Sequence, residues 1–134
     1  MLTTRHIVLL GALATAVPFA AQAKPAPRDA VIKAVDTDAD GTIDLPEAKA
    51  AAAAVFDRLE KDADGTLDAR ELRGRASARD LKAADPDSDG TLTKDEYLAL
   101  VEARFKRADP DNDGTLDAKE MRTPAGKALG RLLR

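Results

Sequence analysis

Acidic side chains recur along this 134-residue chain in a fixed twelve-residue pattern that could hold a metal ion. The clearest copy runs from Asp109 to Glu120, with aspartate at positions 1, 3, 5 and 9, glycine at position 6 and glutamate at position 12. In such a loop the carboxylates at positions 1, 3 and 5 converge on one ion, and the glycine permits a sharp turn. The backbone carbonyl of position 7 joins them, and the glutamate closes the site with both oxygens. The pattern therefore predicts a cation held by oxygen atoms alone.

Three further copies begin at Asp36, Glu60 and Asp85. We number the four copies loop 1 (36–47), loop 2 (60–71), loop 3 (85–96) and loop 4 (109–120). Each matches the D-x-[DN]-x-[DN]-G-x5-E pattern of an EF-hand loop, apart from the glutamate that opens loop 2. One match could arise by chance, whereas four in register are a specific signal.

The predicted ligands are the residues at positions 1, 3, 5, 7, 9 and 12 of every loop, with position 7 acting through its carbonyl. In loops 1 and 2 they are Asp36, Asp38, Asp40, Thr42, Asp44, Glu47, Glu60, Asp62, Asp64, Thr66, Asp68 and Glu71. In loops 3 and 4 they are Asp85, Asp87, Asp89, Thr91, Thr93, Glu96, Asp109, Asp111, Asp113, Thr115, Asp117 and Glu120. Loops 1, 2 and 4 thus offer five carboxylates each, and loop 3 offers four.

Five carboxylates around one ion favour a high ionic charge. Coulomb attraction scales with the charge of the ion, so each added carboxylate favours a 3+ ion over a 2+ ion of similar size. Position 9 usually contributes through a water molecule. The aspartates at 44, 68 and 117 could reach the ion directly, or cap the helix that follows, and the two roles are compatible.

The loops differ at positions 1 and 2. Pro86 and Pro110 occupy position 2 of loops 3 and 4, where proline restricts the loop before binding, although a loop proline can also be incidental. Loops 1 and 2 have Thr37 and Lys61 there. Glu60 is one methylene longer than aspartate, so we expect loop 2 to be looser or distorted.

Composition excludes several classes of site. The chain has no cysteine and one histidine, His6. The chain after His6 therefore has no residue for a thiolate or imidazole metal site, a disulfide, or cysteine or histidine catalysis. We predict that the protein is not an enzyme. The loops hold 20 of the 24 acidic residues. Basic residues are interleaved with them rather than gathered in a patch, so nucleic-acid binding is not predicted.

The N-terminus has the features of a secretory signal peptide. Arg5 precedes an apolar run over 7–16, and an A-x-A cleavage site ends at Ala23. The run is too short for a membrane anchor, which needs ~20 residues. We therefore predict a cleaved segment 1–23 and an exported metal-binding domain 24–134 with no membrane span. A monomer is expected, with a metal-dependent dimer as the alternative, and the sequence identifies no protein partner.

The spacing of the loops determines how they can pair. They begin 24, 25 and 24 residues apart, which leaves room for only one helix between neighbours. A straight 12-residue helix is ~18 Å long and holds its two loops at opposite ends. The connection 72–84 is broken by Gly74 and can fold back. We therefore predict that loops 2 and 3 pair, and loops 1 and 4 pair, through short antiparallel strands at the apolar position-8 residues Ile43, Leu67, Leu92 and Leu116. A chain of unpaired loops, the alternative, would expose these side chains.

Helices are predicted over 29–35, 48–59 and 97–108, with two short helices at an angle in 72–84 and a last helix from Thr123-Pro124 to about Leu133. The predicted core is Ile32, Val35, Val55, Phe56, Leu59, Leu81, Leu98, Val101, Phe105, Leu129 and Leu132. This small core is opposed by 16 excess negative charges in the empty loops. We therefore expect folding to be coupled to metal binding.

Local motifs add a family resemblance. They are the D-P-D-x-D-G-T-[IL]-D-type loops, the short connections, Gly74-Arg75, Asp95-Glu96-Tyr97-Leu98 and Thr123-Pro124-Ala125-Gly126. With these features the sequence resembles the lanmodulin family, periplasmic lanthanide-binding proteins of methylotrophic bacteria. The resemblance implies an all-α, compact, three-helix-bundle-like protein that binds trivalent lanthanides, from La3+ to mid-series, in preference to Ca2+. Its departures are the two missing prolines, the opening glutamate of loop 2 and the threonine at position 9 of loop 3, each of which can change the affinity of its loop.

Two other functions fit the same loops. One is an ordinary periplasmic Ca2+-binding protein acting as a buffer or sensor. The other is a calcium-dependent docking module, as in dockerins, although these have two loops and this chain has four.

Overall fold

The computed structural model describes residues 29–134. Its five α-helices are α1 Asp29–Val35, α2 Leu45–Leu59, α3 Ala78–Ala84, α4 Lys94–Ala108 and α5 Pro124–Gly130. Its short strands are β1 Ile43–Asp44, β2 Thr66–Leu67, β3 Leu92–Thr93 and β4 Thr115–Leu116. The predicted signal peptide, its cleavage site and residues 24–28 lie outside the described residues. Between 29 and 134, no helix combines the length and apolar character that crossing a membrane requires.

The two long helices, α2 and α4, grow directly out of loops 1 and 3. Each has 15 residues and begins with a capping box, formed by Asp44 with Glu47 in α2 and by Thr93 with Glu96 in α4. In such a box the cap side chain and the glutamate each satisfy a backbone N–H of the other. Pro46 lies in the first turn of α2, where its missing N–H is tolerated. The predicted helices are confirmed, and they begin three residues earlier because the last loop residues are already helical.

The connection between loops 2 and 3 differs from its prediction. Residues 69–75 form a series of turns rather than a helix, with the N–H groups of Arg75 and Ala76 both donating to the Leu72 carbonyl. Gly74 has φ of +81°, which ends any helical path after too few residues for a stable helix. The prediction of a first short helix in this connection is therefore wrong. The second is confirmed as α3, capped by Ser77.

The C-terminal segment also differs in detail. A 3₁₀ turn, Glu120–Arg122, follows loop 4 and was not predicted. Thr123 then caps α5 as expected, accepting a hydrogen bond from the Gly126 N–H. This helix ends at Gly130 rather than near Leu133, and Leu132 and Leu133 continue beyond it as buried residues.

The loops pair as the spacing predicts. β1 and β4 are antiparallel, with Ile43 opposite Leu116, and this joins loop 1 to loop 4. β2 and β3 are antiparallel, with Leu67 opposite Leu92, and this joins loop 2 to loop 3. All four of these side chains are completely buried. The position-8 residues therefore join the loops of each pair through contacts that are buried in the core.

The core lies around α4, which packs against both α2 and α5 and gives the predicted compact helical arrangement. Of the predicted core residues, Leu59 and Leu98 are only partly buried, and the others are buried. Tyr97 was not predicted to be in the core. It is fully buried, and its ring centroid lies 5.9 Å from that of Phe56.

Candidate metal centres

Each loop is held in shape by its own carboxylates. In loop 4, Asp109 accepts hydrogen bonds from the N–H groups of Asp113 (3.2 Å) and Gly114 (3.0 Å). Asp113 accepts from the Thr115 N–H at 2.8 Å and the Thr115 hydroxyl at 2.9 Å. These bonds bend the backbone around the side chains, so the acidic groups point inward together.

The backbone makes a tight turn at the middle of each loop. Position 6 is glycine, and Gly114 has φ of +89°. The residue at position 4 also has positive φ, between 57° and 62°, although it is not glycine: Ala39, Ala63, Ser88 and Asn112. A left-handed conformation costs a residue with a Cβ roughly 1 kcal/mol. The four loops therefore share a geometry that their hydrogen bonds and any bound ion must stabilise.

Loop 2 differs at the position where the sequence departs from the pattern. Glu60 accepts from the Gly65 N–H at 2.9 Å, as the aspartates do in the other loops. The Asp64 N–H instead donates to Asp62, at 3.4 Å. In loops 1, 3 and 4 the corresponding N–H also donates to the first residue. The longer glutamate side chain thus holds its loop with one hydrogen bond fewer.

Three carboxylates converge in every loop, with oxygen atoms within 4.8 Å of one another. In loops 1 and 2 the three residues are at positions 1, 3 and 5: Asp36, Asp38, Asp40, Glu60, Asp62 and Asp64. In loops 3 and 4 they are at positions 1, 3 and 12: Asp85, Asp87, Glu96, Asp109, Asp111 and Glu120. Carboxylate oxygens at this separation suit a hard cation such as Ca2+ or a trivalent ion. The structure thus groups positions 1 and 3 throughout, and divides the loops by whether position 5 or position 12 completes the cluster.

The electrostatics of the clusters reflect this crowding. A hydrogen bond shared with Asp85 raises the pKa of Asp87, and the negative charges of Asp89 and Glu96 raise it further. Burial raises the pKa of Glu120, and the charges of neighbouring loop 4 aspartates add to this, while the hydrogen bond from the Asp117 N–H opposes it. Nearby negative charges thus make ionisation of both groups less favourable, in addition to the effect of burial at Glu120. A cation would relieve the same repulsion.

The side chain at position 9 accepts a hydrogen bond from the N–H at position 12 in every loop, and in loops 1 and 3 this caps α2 and α4. Asp44, Asp68 and Asp117 accept hydrogen bonds from the N–H of the glutamate three residues later, at 2.7, 2.9 and 2.8 Å. The Thr93 hydroxyl does the same for Glu96 at 3.3 Å. In return, the glutamate at position 12 accepts from the N–H at position 9 in all four loops. Direct ligation by these aspartates remains a prediction.

Sequence reasoning missed one set of contacts, which involve position 2. Glu47 Oε1 accepts from the Thr37 N–H at 2.6 Å and from the Thr37 hydroxyl at 2.9 Å. Burial alone would raise the pKa of Glu47, but hydrogen bonds from Asp44 and Thr37 outweigh it and lower the pKa. In loop 2 the Lys61 N–H donates to Glu71 Oε1 at 3.0 Å. The signal was present in the sequence, since only loops with a residue other than proline at position 2 have this N–H.

The sequence model of the EF hand matches residues 28–48, 78–101 and 100–123, together half of the chain. The chain belongs to the EF-hand family. The matched segments contain loops 1, 3 and 4 of this EF-hand protein, and loop 2, which opens with Glu60, lies between them.

A comparison with curated proteins gives a more specific likeness. The chain is 60% identical over 73 residues to lanmodulin of Methylorubrum extorquens. The aligned region covers 54% of this chain and 53% of that protein, so the chain spans about half the length of the curated relative it matches. These matches confirm the predicted likeness to a lanmodulin-like EF-hand protein. With the four acidic clusters, they support the binding of metal ions.

Proposed function

We propose that this protein binds trivalent lanthanide ions in its four EF-hand loops, in preference to Ca2+, and that it does so in the periplasm as a buffer, carrier or sensor. The observation on which this rests most directly is the convergence of three carboxylates in each of the four loops. The ligands are those predicted from the sequence, at positions 1, 3, 5, 7, 9 and 12. The likeness to lanmodulin supports the choice of ion.

The charge of the loops favours the 3+ ion. The donors that suit Ca2+ also suit a lanthanide, so donor type does not separate the two. What separates them is the number of negative charges around one ion, which is five in loops 1, 2 and 4 and four in loop 3. Coulomb attraction to a 3+ ion is half as strong again as to a 2+ ion at the same distance, so every added carboxylate widens the difference.

We further propose that metal binding and folding are coupled. The four loops together contain 16 excess negative charges, which oppose compaction until they are neutralised. A hydrogen bond with Asp85 and nearby negative charges raise the pKa of Asp87, and burial together with neighbouring aspartates raises the pKa of Glu120. An ion that neutralises a loop removes a cost that opposes compaction, so its binding free energy becomes folding free energy.

Competition between the two ions tests the preference. The protein, stripped of metal by a chelator, is titrated with La3+ in excess Ca2+ while far-UV circular dichroism follows helicity. We expect refilling of the stripped protein with La3+ to restore helicity at a far lower free concentration than Ca2+ requires. If La3+ and Ca2+ displace each other equally at equal concentrations, the protein is an ordinary Ca2+-binding protein. Native helicity in the stripped sample would contradict coupled folding.

Export is tested separately. When the full chain is expressed in a Gram-negative host, we expect the periplasmic fraction to contain a form that begins at Lys24, as measured by mass spectrometry of the intact protein. An uncleaved chain that stays in the cytoplasm would contradict the proposed signal peptide without affecting the proposed metal sites.

A further inference from the structure

The glutamates at position 12 are held in two different ways. In loop 1 both carboxylate oxygens of Glu47 are occupied, Oε1 by the N–H and hydroxyl of Thr37 and Oε2 by the N–H of Asp44. The same arrangement recurs in loop 2, where Glu71 accepts from the N–H groups of Lys61 and Asp68. These two glutamates are therefore tied to the backbone at both ends of their loops.

Proline removes one of these ties in loops 3 and 4. Pro86 and Pro110 occupy position 2 and have no N–H to donate. Within residues 29–134, Glu120 Oε1 is buried and has no hydrogen-bond partner. In loop 3 the hydrogen bonds that Glu96 accepts, from the N–H and hydroxyl of Thr93, both go to Oε2.

The position of the glutamate follows the same division. Glu96 and Glu120 have carboxylate oxygens within 4.8 Å of those at positions 1 and 3 of their loops. In loops 1 and 2 the cluster is completed by position 5 instead. Where the N–H at position 2 is present the glutamate lies outside the cluster, and where proline replaces it the glutamate lies inside.

We propose that the residue at position 2 determines which loops accept a metal ion first. The N–H of Thr37 and of Lys61 holds the closing glutamate out of the cluster. Proline leaves it within the cluster, so loop 4 fills before loops 1 and 2, which carry the same number of carboxylates. In loop 3 the effect of Pro86 is offset by the missing fifth carboxylate. This inference depends on the proposed metal-binding function, and it adds positioning residues that the ligand pattern does not contain.

The physical reason is whether Oε1 of the glutamate at position 12 already accepts a hydrogen bond before the ion binds. Position 12 closes the site with both oxygens. In loops 1 and 2 an entering ion must redirect an oxygen that already accepts charge-assisted hydrogen bonds, which are stronger than neutral ones. In loop 4 the same oxygen is buried without a partner, which is unfavourable until a cation meets it. A difference of one such hydrogen bond corresponds to roughly tenfold in affinity.

The pairing of the loops gives the division a further consequence. Loop 4, with Pro110, pairs with loop 1 through Leu116 and Ile43. Loop 3, with Pro86, pairs with loop 2 through Leu92 and Leu67. Each pair therefore contains one loop with proline and one without. An ion in the loop with proline orders its strand, and that strand pairs with the strand of the loop without proline.

Nuclear magnetic resonance can follow each loop separately. The glycine at position 6 donates its N–H to the residue at position 1 in every loop, so its amide signal reports the state of that loop: Gly41, Gly65, Gly90 and Gly114. The ¹⁵N-labelled protein is titrated with La3+, which is diamagnetic. We expect the bound signal of Gly114 to appear at lower La3+ than those of Gly41 and Gly65, because loops 1, 2 and 4 carry five carboxylates each and differ at position 2. Filling of loop 4 together with loops 1 and 2, or after them, would overturn the inference.

Matched variants separate the backbone N–H at position 2 from the side chain. Thr37→Pro removes the N–H and the hydroxyl, whereas Thr37→Ala removes only the hydroxyl. We expect Thr37→Pro to lower the La3+ concentration that half-fills loop 1 about tenfold relative to Thr37→Ala. The reverse change, Pro110→Thr, should raise it for loop 4 by a similar factor. Proline already occupies this position in loops 3 and 4, so the loop backbone accommodates it.

The outcomes distinguish the two levels of the proposal. If Thr37→Pro leaves loop 1 unchanged or weakens it, the N–H does not hold the glutamate away from the ion, and the inference is wrong while metal binding stands. If none of the four glycine signals responds to La3+, the proposed function itself fails.

Discussion

The hydroxyl of Tyr97 donates a 2.8 Å hydrogen bond to the backbone carbonyl of Leu132. Both residues are completely buried, and Tyr97 directly follows Glu96, the last residue of loop 3. The contact thus joins the start of α4 to the C-terminal segment that follows α5. A loop on one side of the core is thereby fixed to the end of the chain.

Removing this hydroxyl tests how much the contact contributes. Tyr97→Phe keeps the packing against Phe56 but leaves the Leu132 carbonyl buried without this partner. We expect the free energy of unfolding of the La3+-loaded protein to fall by about 1 kcal/mol. Thermal denaturation followed by circular dichroism measures the change. An unchanged midpoint would show that the carbonyl finds another donor.

The same residue should titrate abnormally. Burial raises the pKa of Tyr97 to about 12, against partial opposition from nearby arginines. Folding favours the neutral phenol, so this contribution is fully present below the unfolded pKa of ~10 and is lost as pH rises through about 12. Tyr97 is the only tyrosine in the sequence, and there is no tryptophan. Absorbance at a wavelength specific to phenolate should therefore show one transition near pH 12 in the Ca2+-loaded protein, and one near ~10 in denaturant.

The ion pair between Asp80 of α3 and Arg104 of α4 should make the free energy of unfolding depend on pH in acid. Arg104 Nη2 lies 2.9 Å from Asp80 Oδ2, and the Arg104 side chain is only 9% exposed. The Ser77 hydroxyl, followed by Arg104, holds the pKa of Asp80 at about 2 against the effect of burial. Because this pKa is lowered, the stabilisation is present above the unfolded value of ~4 and is lost as pH falls through about 2.

We expect Asp80→Asn to lower the free energy of unfolding at neutral pH by about 1 to 2 kcal/mol, a figure reduced for the partial exposure of Asp80. The difference from the unchanged protein should shrink as pH approaches 2 in denaturant titrations. Ser77→Ala removes the helix cap and leaves the ion pair, and so separates the two contributions. A pH-independent difference would contradict the assignment.

Two glycines of α5 should respond oppositely to the same substitution. A Cβ on Gly126 would lie 2.5 Å from the Cα and 2.8 Å from the carbonyl carbon of Met121, so backbone must move. A Cβ on Gly130 would meet only side-chain atoms, at 3.5 and 3.9 Å. We expect Gly126→Ala to destabilise the loaded protein by about 1 to 3 kcal/mol. Gly130→Ala should stabilise it by about 0.5 to 1 kcal/mol through better helix propensity. Equal effects in thermal denaturation would contradict the packing described here.

Loop 3 offers a direct test of the charge argument. Thr93→Asp restores the fifth carboxylate while keeping a helix cap, and Thr93→Asn keeps the cap without the charge. We expect the aspartate variant to bind La3+ in loop 3 roughly tenfold more tightly than the asparagine variant, with a smaller gain for Ca2+. Chelator-buffered titrations that report Gly90 provide the measurement. An equal gain for both ions would mean that charge count does not set the preference.

Much of the site was predictable because its determinants are local. The ligand positions and glycine turn lie within twelve residues, and the short interval between loops leaves one pairing that a helix can span. Ile43 opposite Leu116 and Leu67 opposite Leu92 follow from that geometry. By contrast, Tyr97 enters the core because the remote Leu132 carbonyl satisfies its hydroxyl. The helix predicted after loop 2 does not form, because Gly74 ends the turn too early. The hold on Glu47 by Thr37 spans ten residues and depends on the loop already being folded.

The antiparallel pairing has a consequence for the chain as a whole. Residues 29–74 contain loops 1 and 2, residues 75–134 contain loops 3 and 4, and both strand pairs join one half to the other. Neither half contains a complete pair, so the protein is in effect a heterodimer of two half-chains joined covalently near Gly74. Two separately expressed fragments should therefore reassemble only with each other and only when metal is present. Such fragments, each fused to half of a reporter enzyme, would convert the concentration of a metal ion into a measurable association.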